Sequence, residues 1–221
     1  VQVINQFAKL IIYVFAIFII LSEIGIDIKP LLAGLGIMGL ALSFGAQNLI
    51  RDYISGFFIL LENQYRIGDV IKVKDVGGIV EKITLRVTTL RDLEGVVHTI
   101  PNGIIQRVSN MTYAWSRAKI DIGIAYKEDI DYVIKILKEI SKEYFKDPEF
   151  EEYILEEPTI LGVEELGESQ VTIRVLIKTV PLKQWDVARE FRRRVKKRFD
   201  EENIEIPFPC LLYTSPSPRD L

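Results

Sequence analysis

The chain has one cysteine, Cys210, and one histidine, His98, among 221 residues. A single cysteine excludes an intrachain disulfide framework and a multi-cysteine zinc site. A single histidine leaves nothing from which to build a histidine metal site or a catalytic triad. Basic charge is not in excess either: 28 Lys and Arg face 31 Asp and Glu, a net charge of −3. A general nucleic-acid binder carries a basic domain, so no nucleic-acid partner is expected. There is no nucleophile–base pair, phosphate-binding loop or metal cluster in the sequence. The expectation is a non-enzyme without cofactor or metal. No signal-peptide pattern is evident, and the chain opens at Val1, as a fragment or a processed form would.

What the sequence does have is apolar length at one end. The stretch from Pro30 to Leu61 organises the rest. Its first half, to Ala46, carries no charge and is crowded with Ala33, Gly34, Gly36, Gly39, Ala41, Ser43, Gly45 and Ala46. Each interior glycine costs a helix in water roughly 0.8–1 kcal/mol relative to alanine. In a membrane, small side chains let helix backbones approach closely. Leu40 and Phe44 interrupt the small residues four apart, on one helical face. Copies packed side by side would turn this stripe toward a shared axis, forming an apolar constriction that closes by dewetting. After Gln47-Asn48 the pattern becomes amphipathic, from Leu49 to Leu61, as suits an interface. Gly45 and the polar pair predict a kink there.

Upstream, Val3 to Ile24 is long enough to cross the hydrocarbon core, at ~20 residues and about 1.5 Å per residue. A short polar link, Asp27-Ile28-Lys29-Pro30, joins the two helices into a membrane hairpin. The link carries only Lys29, whereas Arg51, Arg66, Lys72 and Lys74 follow the second helix. The excess of basic residues predicts that the C-terminal part is cytoplasmic.

From Arg66 the pattern is β. Arg66-Ile67-Gly68-Asp69 reads as a turn and Val70–Val73 as a strand. Gly77-Gly78 precedes an alternating β-branched run from Ile79 to Arg91, and Val96–Ile100 returns as a strand stopped by Pro101-Asn102-Gly103. Short strands joined by glycine turns predict a small barrel. Beyond it, a strand at Lys119–Ala125 leads to a helix facing inward through Ile130, Val133, Ile134, Leu137, Ile140 and Tyr144. Strands at 158–163 and 170–179 follow, then a helix from Asp186 to Glu202 and a final strand at Ile204–Ile206. The order βαββαβ predicts a ferredoxin-like layer.

These residues together resemble the small-conductance mechanosensitive channel family, MscS-like. The resemblance rests on the small-residue helix with Leu40 and Phe44, Gln47 at the break, Arg66-x-Gly68-Asp69, Gly78-x-Val80, and Thr88-Thr89-Leu90-Arg91. It continues through Gly95 and Ile100-Pro101-Asn102-Gly103 to Asn110. It implies a homoheptamer with a kinked pore helix, an Sm-like β domain and an α/β domain around a cytoplasmic vestibule. It also implies opening by membrane tension to release ions and small solutes on hypoosmotic shock, and at least one further helix upstream. Leu40 and Phe44 fall on the family's two pore-closing rings, the second of which is commonly leucine.

The expected organisation is a transmembrane helix (1–27), a kinked pore-lining helix (28–62), an Sm-like β domain (63–118) and a ferredoxin-like vestibule domain (119–209). The tail from Cys210 to Leu221 is proline- and serine-rich and reads as disordered, in the manner of a non-native remnant. Candidate site residues are the constriction pair Leu40 and Phe44, and Gly36, Gly39, Ala41, Ser43 and Gly45 for helix packing. To these are added Gln47 and Asn48 for the kink, and Arg66, Gly68, Asp69, Gly78, Pro101, Asn102 and Gly103 for the β motif. Expected partners are membrane lipid, copies of the same chain, and permeant ions and solutes; the expected location is the cell membrane, multi-pass. Other readings are a ligand- or voltage-modulated channel of the same architecture, or a non-conducting membrane-anchored scaffold. The basic run from Arg192 to Arg198 reads as a solvated face, cancelled by Asp200, Glu201 and Glu202. His98 reads as structural, and Trp115 and Trp185 as core or interface residues.

Overall fold

A computed structural model describes residues 2–207, so the expectation for the tail from Cys210 onward lies outside the described residues. Two compact units divide the chain. Val1–Glu62, Thr84–Thr88 and Ile100–Gln106 form one; Asn63–Ile83, Thr89–Thr99 and Arg107–Leu221 form the other.

In the first unit, α1 spans Gln2–Glu23 and α2 spans Lys29–Glu62, 34 residues without interruption. The link between them turns at Gly25, whose φ of +84° is one that glycine adopts without cost. Asp27 accepts a hydrogen bond from the Lys29 backbone N–H at 3.0 Å, and Pro30 sits in the first turn of α2, where its missing N–H costs nothing. The kink expected at Gln47-Asn48 does not break α2. Glycine lowers helix propensity without removing a backbone donor, so the ladder of hydrogen bonds passes through.

The second unit holds most of two sheets. Strands β1 (Val70–Val73), β2 (Val76–Ile83), β3 (Val87–Arg91), β4 (Val97–Pro101) and β5 (Ser109–Asn110) order as β4–β3–β2–β1–β5. The run from Ile79 to Arg91, expected as one element, is two strands. The Thr84 hydroxyl divides it by donating to the Val87 carbonyl and accepting from the Val87 N–H, both at 2.9 Å. β2 also starts earlier than expected and takes in Gly77 and Gly78. Gly78 is needed there: a Cβ would lie 2.3 Å from the Arg91 carbonyl oxygen.

The α/β layer comprises β6 (Ser116–Ile124), α3 (Ile130–Phe145), β7 (Thr159–Leu166), β8 (Val171–Thr179) and α4 (Gln184–Glu201). The sheet order is β6–β8–β7, antiparallel throughout. The strict alternation of β6 buries Ala118, Ile120, Ile122 and Ile124, and β8 adds Ile173, Val175 and Ile177. Both helices cover this one face. Val133, Leu137 and Tyr144 of α3 and Val187, Phe191 and Phe199 of α4 are wholly inaccessible. Each such aliphatic or aromatic side chain contributes roughly 1.5–3 kcal/mol on burial. The Asp129 carboxylate caps α3 by accepting from the Asp131 N–H at 2.9 Å. The expected last strand at Ile204–Ile206 is reduced to a backbone bond from the Ala125 N–H to the Glu205 carbonyl, 3.1 Å, along the free edge of β6.

Candidate functional site

The first half of α2 is exposed along almost its whole length among the described residues. Leu40 is 61% exposed and Phe44 76% exposed, one turn apart on one face. At about 100° per residue, Gly36, Gly39 and Ser43 flank this stripe on one side, and Ala41 and Gly45 on the other. A Cβ at Gly34, Gly36, Gly39 or Gly45 would meet nothing within 4 Å. Among the described residues α2 is long and apolar enough to cross a membrane; the apolar stretch of α1, Ile12–Glu23, is shorter. Gln47 and Asn48 are exposed where the apolar half ends.

The second half of α2 is held fast. Asp52, Gly56 and Ile59 form a buried stripe at helical spacing. The Asp52 carboxylate accepts the Gly103 N–H at 2.9 Å, with the Arg86 guanidinium 3.9 Å from its other oxygen. Gly56 permits contact too close for any side chain: a Cβ would lie 2.0 Å from the Leu85 carbonyl. Asn102 holds the receiving segments together. Its side chain donates to the Thr84 carbonyl at 2.8 Å and accepts the Thr88 hydroxyl at 2.8 Å, while its backbone N–H donates to the Arg86 carbonyl at 2.9 Å. A Cβ on Gly103 would fall 2.6 Å from the Asp52 carboxylate. Asn102 and Gly103 of the sequence motif are therefore a clamp on α2. Pro101, half-buried, ends β4 just before it.

The sequence reading missed Asp52, Gly56, Thr84 and Thr88 as members of this clamp. One signal was available: Asp52 is the lone acid in the apolar stretch from Leu49 to Leu61.

In the second unit, Arg66, Gly68 and Asp69 make a latch. The Asp69 carboxylate accepts the Arg66 N–H at 3.0 Å and the Asn110 amide at 2.8 Å. Asn110 in turn accepts the Thr112 N–H at 3.0 Å, and the Thr112 hydroxyl accepts the Val70 N–H at 2.9 Å. Gly68, at φ +96°, aims its N–H at the Val80 carbonyl, 2.9 Å away. Gly78 fits beneath Arg91, whose guanidinium pairs with Glu81 and donates to the Gly95 carbonyl at 2.8 Å. His98 contacts Asp92 at 2.9 Å, and the Asp92 carboxyl is held below its ordinary range, chiefly by that bond. Trp115 and Trp185 are 42% and 37% exposed rather than core. Trp115 carries Arg117 and Lys178 over its ring instead.

The basic run on α4 is largely neutralised. Arg193 pairs with Glu190, Arg194 with Glu190 and Asp147, Lys196 with Asp200, and Arg198 with Glu139 and Glu202. The Arg193 guanidinium, with Arg194 beside it, holds the Glu190 carboxyl down at about 2. No group of three or more His, Cys, Asp or Glu capable of holding a metal occurs among the described residues.

An exposed helix long and apolar enough to cross a membrane, followed by a β domain and an α/β layer, points to the class of membrane proteins. Three family models match in succession. Transmembrane helices 2/3 of the mechanosensitive ion channels cover residues 6–47, their β-domain 48–113, and the MscS C-terminal domain 118–206. The chain is 43% identical over 201 residues to the small-conductance mechanosensitive channel of Caldanaerobacter subterraneus subsp. tengcongensis, covering 91% of this chain and 70% of that one. It is 36% identical to the moderate conductance mechanosensitive channel YbiO of Escherichia coli, over 89% of this chain but 27% of that protein. The fold matches that of Helicobacter pylori MscS in its closed state, with a TM-score of 0.77 at 22% identity, covering 96% of this chain and 83% of that one. The chain belongs to the MscS family of mechanosensitive ion channels. It is thus a subunit of a homo-oligomeric membrane channel for ions, and not an enzyme.

Proposed function

We propose that seven copies of this chain surround a pore that membrane tension opens, releasing ions and small solutes on hypoosmotic shock. The observation that carries this is the contrast along α2: its small-residue half is exposed, with Leu40 and Phe44 in one stripe, while its far half is clamped at Asp52 and Gly56. Copies of α2 pack through Gly36, Gly39 and Ser43 on one flank and Ala41 and Gly45 on the other. Leu40 and Phe44 then form stacked apolar rings, dry when closed. Tension favours whichever state occupies more membrane area and so shifts a two-state equilibrium, as a ligand does. Gln47 and Asn48 serve as a bend within a continuous helix, between the pore half and the clamped half.

In this reading residues 1–27 and 28–62 form a multi-pass hairpin in the cell membrane. Residues 63–118 form the Sm-like domain and 119–209 the ferredoxin-like wall of a cytoplasmic vestibule. The test is patch-clamp recording of the purified protein in liposomes under graded suction. Discrete currents whose open probability rises with tension are expected. Silence up to membrane rupture overturns the proposal.

A further inference from the structure

A cleft of about 400 Å³ lies where the start of α4 meets β6, a volume within the range of small-molecule sites. Arg117 and Lys119 reach it from alternate positions of β6, and Arg189 and Arg192 from α4. Neither Asp nor Glu lines it. The neighbouring cleft, under Arg193, Arg194, Lys197 and Arg198, contains Glu143 and Glu201. The carboxylates found in that neighbouring cleft have no counterpart in the lining of this one. Carboxylates do stand nearby. Asp186 pairs with Arg189, and Asp121, already bound by Arg174 through both oxygens, is 3.6 Å from Lys119. Arg192 has no ionic partner among the described residues.

Two further features point the same way. The first turn of α4 borders the cleft without a side-chain cap on its backbone donors, and Asp186 of the same turn is drawn to Lys183 and Arg189. Gln184, the first residue of that helix, lines the cleft and is 5% exposed, yet neither its amide oxygen nor its amide nitrogen has a hydrogen-bond partner. Buried amides are almost always paired, and an unpaired one is destabilising unless something engages it. Beside it Trp185 offers a partly open ring face.

We propose that this cleft binds a small organic phosphate with a flat body. Arg192 and Arg117 form charge-assisted pairs with the phosphate, a head group that guanidinium forks suit. The Gln184 amide donates to a phosphate oxygen at the helix N-terminus. The flat body stacks on Trp185. This binding does not depend on conduction and is read without it.

The test is calorimetric titration of the purified full chain in detergent at low salt, with adenosine 5′-monophosphate as probe and inorganic phosphate and adenosine as comparisons. Saturable binding of one nucleotide per chain is expected, with inorganic phosphate and adenosine each at least tenfold weaker and affinity falling as salt rises. Arg192→Ala should weaken nucleotide binding at least tenfold. Trp185→Ala should bring the nucleotide down to the level of inorganic phosphate. Gln184→Leu should also weaken binding, while leaving the unfolding temperature without nucleotide unchanged or raised; a residue serving only structure would lower it. The proposal fails if the wild-type chain binds no nucleotide. It fails equally if Arg192→Ala and Trp185→Ala, folded as judged by unchanged melting, bind as the wild type does.

Discussion

The Asp52 carboxylate, buried on α2, accepts the backbone N–H of Gly103 at 2.9 Å. One helical turn on, Gly56 lies against the Leu85 carbonyl. A side-chain acceptor and a missing side chain thus fasten the same stretch of α2 to the turns flanking β3 and β4.

Loosening this clamp should alter gating before it alters folding. Asp52→Ala leaves the Gly103 N–H without its acceptor, a cost of about 1–3 kcal/mol, and should shift the tension of half-opening in patch recordings. Asp52→Asn keeps one carbonyl acceptor and should shift it less. Equal gating in all three proteins would remove the clamp from the mechanism.

Leu40→Ser and Phe44→Ser should each admit water to the closed pore, because the exposed stripe they form is apolar. The measurement is resting current without suction, and a leak in either variant is expected. Gly39→Val fills the flank of that stripe and should impair assembly or raise the opening tension. Among the described residues a Cβ there meets nothing within 4 Å, so a loss would report contact between copies.

Gly78→Val should destabilise the β domain, since its Cβ would press on the Arg91 carbonyl at 2.3 Å. Overpacking of this kind costs about 1–3 kcal/mol or more. Thermal unfolding of the variant should show it. Gly77→Ala, with its nearest atom 3.7 Å from the added Cβ, should be mild by comparison.

Acid should weaken the α/β layer through Glu190, whose carboxyl is lowered from 4.5 to about 2, first by its Arg193 hydrogen bond. A carboxyl whose folded pKa is depressed stabilises fully above its unfolded pKa. The contribution fades as pH falls from about 4.5 toward 2. Glu190→Gln should therefore melt below the wild type at pH 7, with the gap closing near pH 2. A gap of constant size across that range would assign the effect to packing instead.

The core of this protein is written in its periodicity. Val187, Phe191, Val195 and Phe199 recur every four residues, and all four are buried. The strand β1 is likewise explicit in Val70–Val73. The division of the run from Ile79 to Arg91 was not visible, because Thr84 is as good a strand residue as its neighbours until its hydroxyl closes a turn on Val87. Asp52 and Gly56 were hidden for a related reason. On an amphipathic helix an acid and a glycine read as surface, and only the approach of distant backbone, Gly103 and Leu85, makes them interior. Gln184 and Arg192 were unreadable as a pair, since one looks like an ordinary helix start and the other like one of many arginines.

α2 runs without interruption from the Asp52 clamp to its N-terminal end, so motion at one end is carried through the bend proposed at Gln47-Asn48 to the other. With 1.5 Å of rise per residue, Phe44 lies about 12 Å along the helix from the anchored Asp52, and Gly34 about 27 Å. A rotation of about 10° around that fulcrum carries Phe44 by about 2 Å and Gly34 by about 5 Å, by the same geometry. Displacement therefore grows toward the far end of the helix, so a small rotation at the clamp is felt least near Asp52 and most at the small-residue end.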